Sequence, residues 1–456
     1  MAAPTNPSQK PPSYAFVVSV ASIAFVVSQL DVSIVNIALP QIARAFDAPI
    51  PALQWIVDAY TIAFAAFMLS AGGMGDLYGS KKVFQIGMMI FCIASAGCGF
   101  SWDVLSLTLF RILQGIGSAV MIPNSLSVIG QAFSHDQKLR GRAVALWTAL
   151  GGVSIAAGPV IGAFLMHVSN WRMIFYVNVP ICLLGLLLSF RLPESERHPH
   201  KKLDLFGQLL WMIILTILIS VIIEWNELGA GHPLIYGGLL FSVLLFGGFL
   251  WFEKNTDSPI LPLGLFRYPA FNVLLLLGVV ANFAYYGCIF ILSLYMQDIL
   301  HYPVMQAGLA FLPLTGGLII SNLLSGQIMG RYGTRLPIIA GAWIASAGYA
   351  ALLIVGPDTP YWQLFFPFLI IPMGMGLAIP AVTTRILGTV DKTLSGTASA
   401  ILNTSRQAFG AIGVAIVGAM AAGDAAQLVN AVSLYGIFSA VALVFAAIFL
   451  HRYLRE

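Results

Sequence analysis

Runs of about twenty apolar residues, separated by short polar stretches, recur along the whole of this chain. Each is long enough to cross the hydrocarbon core of a bilayer as a helix. Lipid offers no partner to open backbone groups, so a spanning segment is either a helix or a strand of a closed barrel. Barrel strands alternate apolar and polar residues over about ten positions, and these runs do not alternate. The composition agrees: 59% of residues are hydrophobic and only 9% are charged, where a soluble domain is about a quarter charged. Fourteen spans are predicted, near 14–39, 52–73, 82–100, 104–129, 142–166, 171–190, 204–224, 233–252, 271–297, 305–329, 336–355, 361–384, 396–420 and 432–451.

Basic residues set the orientation. With the amino terminus inside, 18 of the 22 Lys and Arg fall on the cytoplasmic side, from Lys10 through the clusters at Lys81–Lys82, Lys138–Arg142 and Arg191–Lys202 to Arg455. Only Arg44 and Arg172 fall outside, and Arg111 and Arg406 lie within spans. The positive-inside rule demands this partition, and an odd number of spans scrambles it. Both termini are therefore expected in the cytoplasm.

The chain also repeats itself. Gly72–Lys81, between spans 2 and 3, is echoed by Gly326–Arg335 between spans 10 and 11. Gly79 lies 65 residues after Tyr14, and Gly333 lies 63 residues after Ala270. A parallel repeat of two six-helix halves follows. Residues 1–13 read as a disordered cytoplasmic tail, 14–190 as the first bundle and 271–456 as the second. The segment 191–270, with spans 7 and 8, is an insertion between them and is expected at the periphery.

Several function classes are excluded. Cys92, Cys98, Cys182 and Cys288 all lie in apolar runs without metal-ligand spacing. His198 and His200 in the linker are a weak metal signal, and no metal site is expected. No basic run interleaved with aromatics suggests nucleic acid. The dipeptide Gly-Lys is absent, which removes a Walker A phosphate loop. No nucleophile–base set points to an enzyme.

The run Ala143–Leu165 carries no charge but is rich in residues that weaken a soluble helix. Gly151 opens its small-residue stretch. Ser154, Gly158 and Gly162 recur at i, i+4 and i+8, so one face is nearly bare backbone and admits a close neighbour. Pro159 removes a hydrogen bond inside that face and favours a bend.

Gly151–Gly162 around Gly158-Pro159 resembles the antiporter motif of the major facilitator superfamily. Gly72–Lys82 resembles that family's loop signature, with Asp76 and Gly79 in place and positive charge from Lys81 and Lys82. Leu77 and Ser80 stand where the family usually has basic residues. Arg111-Ile112-Leu113-Gln114-Gly115 looks like its span-4 motif. Leu30–Asn36 around Asp31, Trp55–Tyr60 around Asp58, Asn170–Arg172 and Asn403–Gln407 resemble the fourteen-helix drug:proton antiporter branch, which includes quaternary-ammonium exporters.

The resemblance implies an all-α membrane protein of the major facilitator fold, two six-helix bundles plus two inserted helices. It implies proton-coupled antiport of amphipathic, cationic drugs by alternating access, driven by the proton gradient without a cofactor. Asp76, Gly79 and Lys81 are then parts of a latch that stabilises the outward-open state, with Arg331, Gly333 and Arg335 as their counterparts in the repeat. The expected partners are small-molecule substrates, protons and the bilayer of the plasma membrane (the inner membrane in a Gram-negative source). A monomer is expected to suffice. A dedicated exporter of one metabolite fits the same residues. A non-transporting sensor leaves the intramembrane charges without a role.

Depth can be judged without the resemblance. Asp31 lies eight residues before Leu39, Asp58 six after Ala52 and Arg111 seven after Val104, so all three sit roughly 9–12 Å below the outer surface. Charges at that depth face the bundle interior and pair or relay protons. Asp31 is the first candidate proton carrier, Arg111 the charge that tunes it and Asp58 the reserve. Candidate substrate contacts are Asn36, Gln114, Asn403 and Arg406. Tyr285, Tyr286 and Phe290 are expected to form an aromatic wall for a flat or cationic cargo.

Overall fold

The computed structural model describes residues 13–195, 204–229, 231–256, 259–389 and 395–453. Within these residues the chain is helical, without strands. The helices are α1 (Tyr14–Phe46), α2 (Ile50–Tyr78), α3 (Ser80–Phe100), α4 (Val104–Ala132), α5 (Gln137–Val168), α6 (Met173–Tyr176), α7 (Asn178–Ser189), α8 (Leu205–Leu228), α9 (Pro233–Lys254), α10 (Pro269–Leu294), α11 (Val304–Ala310), α12 (Leu312–Tyr332), α13 (Arg335–Ala350), α14 (Tyr361–Thr389), α15 (Ser395–Ala421) and α16 (Ala425–Tyr453). The proposed tail falls almost wholly outside the described residues, as does most of the Arg191–Lys202 linker with His198 and His200.

Twelve of the fourteen expected spans are helices long and apolar enough to cross a membrane. The fifth is a bent pair, Arg142–Ile155 and Ala157–Val168, at 46°. Pro159 explains the bend, because it removes the bond to the carbonyl of Ile155 and its ring crowds that group. The sixth is shorter: α6 and α7 together cover Met173–Ser189 and break at Val177. By length and composition the described chain thus has twelve spans, or thirteen with the bent pair counted as one.

The two halves repeat one pattern of neighbours. In the first, α1 lies along α5, and α4 lies against α2 and α3; in the second, α10 lies along α15, and α14 lies against α12 and α13. Across the halves α2 meets α15 and α5 meets α12, a reciprocal exchange about a pseudo-two-fold axis. The repeated loops also match. Gly79 closes α2 at φ +96° and donates to the Gly75 carbonyl, while Gly333 closes α12 at φ +74° and donates to that of Met329. A left-handed cap of this kind selects glycine. The helix α8 packs on Ile62 and Ala65 of α2 and Ala408, Ala411 and Ala415 of α15 through Leu215, Ile219 and Ile223. The helix α9 leans on α8, and only 17% of its most apolar window is buried.

The halves close on each other at the face where α1 ends and α2 begins. The α1 helix continues past the expected span end near residue 39, through Pro40, to Phe46. Pro40 leaves the Asn36 carbonyl without its helical donor, and the Ser293 hydroxyl of α10 donates to it across the seam at 2.7 Å. Gln297 Nε2 donates to the Ile37 carbonyl at 3.1 Å, and Gln54 Nε2 of α2 donates to that of Ala415 at 2.7 Å. These three buried donors hold the far face shut. Ser293→Ala orphans a buried carbonyl at a cost of about 1 kcal/mol or more, roughly a fivefold shift toward opening. In a background without the four buried native cysteines, a single cysteine at Val32 should then label from the far face about fivefold faster; an unchanged rate would remove this bond from the gate.

Candidate functional site

Burying charge without a partner is costly in lipid, and α1, α4 and α7 offset that cost for Asp31 and Arg111 with one network. Asp31 (α1) and Arg111 (α4) are both fully buried and form an ion pair through Oδ2 and Nη1. Gln114 Nε2 donates to Asp31 Oδ1 at 3.1 Å and to the Ser95 hydroxyl at 2.8 Å, while its Oε1 accepts from Arg111 Nη1 at 2.9 Å. Asn178, the first residue of α7 beyond the break at Val177, donates to the same Asp31 oxygen at 3.0 Å. Arg111 Nε binds the Ile56 carbonyl at 3.1 Å, and its guanidinium lies 4.3 Å from the Tyr60 ring centroid. Tyr60 is itself held by the hydroxyls of Ser28 and Ser118 at 2.8 and 2.7 Å. Every group around Asp31 is a donor, which suits an ionised carboxylate.

A narrow cavity, with room for about one water molecule, separates the halves. Asn36, Tyr60 and Arg111 border it from one side, and Tyr286, Gly410 and Val414 from the other. A drug-sized cargo needs several hundred Å³, so this state is occluded. Asn36 Oδ1 there has no hydrogen-bond partner. Tyr286 is the member of the expected aromatic wall that reaches the cavity. Phe290 is fully buried, and Tyr285 packs edge-on to Tyr286 at 5.8 Å with an unpartnered hydroxyl.

Asp58 stands apart from the pair it was expected to join. It shares a face with Ile62 and Ala65, at i+4 and i+7, and these pack against α8 and α15. It is fully buried, and neither carboxyl oxygen has a partner. In the second half Arg406 Nε donates to Asn282 Oδ1 at 3.1 Å, and Asn403 is half-buried beside it.

The α5 helix lies between α1 and the second half. A methyl group added at Gly158 would collide with the Ser33 side chain and lie 3.0 Å from the Ile34 backbone nitrogen. One added at Gly162 would lie 2.7 Å from Ile34 and Ile37 side chains. The glycine face therefore rests on α1 at Ser33, Ile34 and Ile37, two to six residues after Asp31. Beside it, the Pro159 carbonyl and Ala163 touch Gly308 of α11 in the other half. Gly151 abuts the Phe25 ring, which stacks on Trp147 at 4.0 Å.

The sequence profile of the Major Facilitator Superfamily matches residues 21–415. The chain belongs to the major facilitator superfamily. It is 32% identical over 403 residues to a methylenomycin A resistance protein of Bacillus subtilis, covering 88% of this chain and 86% of that one. It is 31% identical to the multidrug resistance protein Stp of Mycobacterium tuberculosis, over 86% and 73% of the two chains. Among solved structures it resembles the xylose transporter XylE of Escherichia coli, with a TM-score of 0.68, 14% identity and 97% and 98% coverage. As a member of this superfamily it is a multi-pass cell-membrane transporter of small molecules.

The superfamily loop motif is anchored through Lys81. Lys81 Nζ binds Glu194, beyond α7, at 2.7 Å and the Phe190 carbonyl at 3.1 Å. The Asp76 side chain lies outside the described residues. In the repeat, Arg331, Gly333 and Arg335 are exposed. Sequence reasoning missed Asn178, Ser95, Gln54 and Ser293; each is a single polar residue in an apolar run.

Proposed function

We propose that this chain is a proton-coupled exporter of amphipathic drugs, working by alternating access as a fourteen-span monomer with both termini in the cytoplasm. Residues 14–190 and 271–456 form the two moving bundles, and 191–270 is an insertion beside the seam of α2 and α15. The observation that carries the reading is the Asp31–Arg111 pair, placed at the wall of a cavity between two symmetric halves. A proton relay needs an acid that exchanges its partner as the cavity opens, and Arg111 borders that cavity while holding Asp31. With the amino terminus inside, the closed far face is the outer one, so this conformation stands ready to open inward and load.

Protonation of Asp31 releases Arg111 and loosens α1 from α4. The α5 glycine face couples that shift to α11, because it touches α1 on one side and the second half on the other. The proton gradient alone supplies the energy, and no cofactor is needed. The superfamily relatives named for resistance to antibiotics support drugs as cargo over a single metabolite. Susceptibility profiling of cells with and without the gene tests this: resistance to several unrelated amphipathic antibiotics is expected, and a change confined to one metabolite would point to the dedicated exporter.

A further inference from the structure

We infer that the cargo is an organic anion, with its carboxylate held by Arg406 in the second half. The inference rests on the export reading and uses the same cavity, but it opposes the cationic cargo that the sequence resemblance implies. The fixed charges decide it. Among the described residues no Asp or Glu borders the cavity. Asp31 is fully buried behind Arg111, and Asp58 is fully buried on the face of α2 that meets α8 and α15. Among the described residues the one charged side chain that borders the cavity is the Arg111 guanidinium. Arg111 at the wall is neutralised by Asp31.

Arg406 has no acidic partner among the described residues. Its one hydrogen bond runs from Nε to the neutral amide of Asn282, on α10. An arginine this far inside a membrane protein pairs with a charge or faces a wet cavity. Arg406 is partly accessible although its stem lies against Gly278 and Leu402 packs beside it. It sits one turn from Gly410, which borders the cavity and touches Tyr286. With Nε engaged, both terminal nitrogens remain for a carboxylate, in the end-on, two-pronged geometry that guanidinium favours. Asn282 accepts through Oδ1, which leaves its Nδ2 as a third donor. Tyr286 supplies an aromatic wall for the apolar body of the cargo. The Thr404 hydroxyl, two residues away, is buried without a partner.

Charge class has an energetic consequence. Exchange of one proton inward for a monovalent cation outward moves no net charge. Exchange for a monovalent anion moves two positive charges inward, so an inside-negative potential drives export.

The test uses the purified full chain and three probes of one shape: 2-naphthoate, neutral 2-naphthamide and (2-naphthylmethyl)trimethylammonium. Equilibrium binding at neutral pH should favour naphthoate over naphthamide by about tenfold or more. Arg406→Gln should bring the two within about twofold of each other, while Arg406→Lys, which keeps the charge, should retain most of the preference. Naphthoate export from proteoliposomes should accelerate when a potassium diffusion potential makes the lumen negative. Equal binding of naphthoate and naphthamide, tighter binding of the ammonium probe, or an unchanged preference in Arg406→Gln would each overturn the assignment. Proton-driven export of the ammonium probe alone would sink this inference and leave the export reading standing. If Arg406→Gln fails to insert, the wild-type ranking of the three probes decides.

Discussion

Gly158→Leu should reach the membrane in normal amount and export nothing above the level of cells lacking the gene. The first carbon of any side chain there meets Ser33 and the Ile34 backbone. Leucine adds three more carbons, so α1 must move away from α5. Overpacking of this kind costs about 1–3 kcal/mol, which a helix bundle survives. The consequence for transport is larger, because Asp31 lies on the displaced stretch of α1 and its three donors come from helices that do not move with it. Gly158→Ala is the graded control: its single carbon conflicts chiefly with a serine side chain, and Ser33→Ala in the same protein should recover part of the activity. Normal export by inserted Gly158→Leu would show that this face is not a working contact.

Asp31→Asn should abolish cargo-induced proton flux in proteoliposomes, down to the background of empty vesicles. The amide keeps the size of the side chain and still accepts hydrogen bonds, but it has no proton to release. It also leaves the Arg111 guanidinium buried without a counter-charge, and breaking a buried pair from one side costs about 3–5 kcal/mol. A lower thermal midpoint is therefore expected. Arg111→Gln in the same chain should restore much of that stability without restoring transport, which separates folding from coupling. Full proton-driven exchange by Asp31→Asn would move the role of carrier to Asp58.

Depth along each helix was enough to read Asp31 and Arg111 from the sequence, because intramembrane charges are few and must find one another. It was not enough for Asp58. Three charges at one depth do not show which faces of α1, α2 and α4 meet, nor that Asp58 shares its face of α2 with the residues that pack on α8 and α15. The glycine face of α5 was legible from its four-residue period, and its partner was not, since a small face marks a close approach without naming the neighbour. Asn178 and Ser293 left no periodic trace. Each is one polar residue in an apolar run, and its importance lies in what stands opposite: the Asp31 carboxylate and a carbonyl freed by Pro40. The first span was expected to end near residue 39, and α1 instead runs through Pro40 to Phe46. A proline ends a helix unless another group rescues the freed carbonyl, and the rescuer here lies on the other half of the molecule.

Exchange between cargo and protons is the central step of the proposed transport cycle. Purified protein is reconstituted into proteoliposomes loaded with the antibiotic to which the gene confers most resistance. An inward proton gradient is then imposed without ATP, with efflux and lumenal pH recorded together. Efflux should begin only when the outside is acidified, lumenal acidification should accompany it, and a protonophore or Asp31→Asn should stop both. Efflux that continues unchanged with the protonophore present would contradict the coupling on which the account rests.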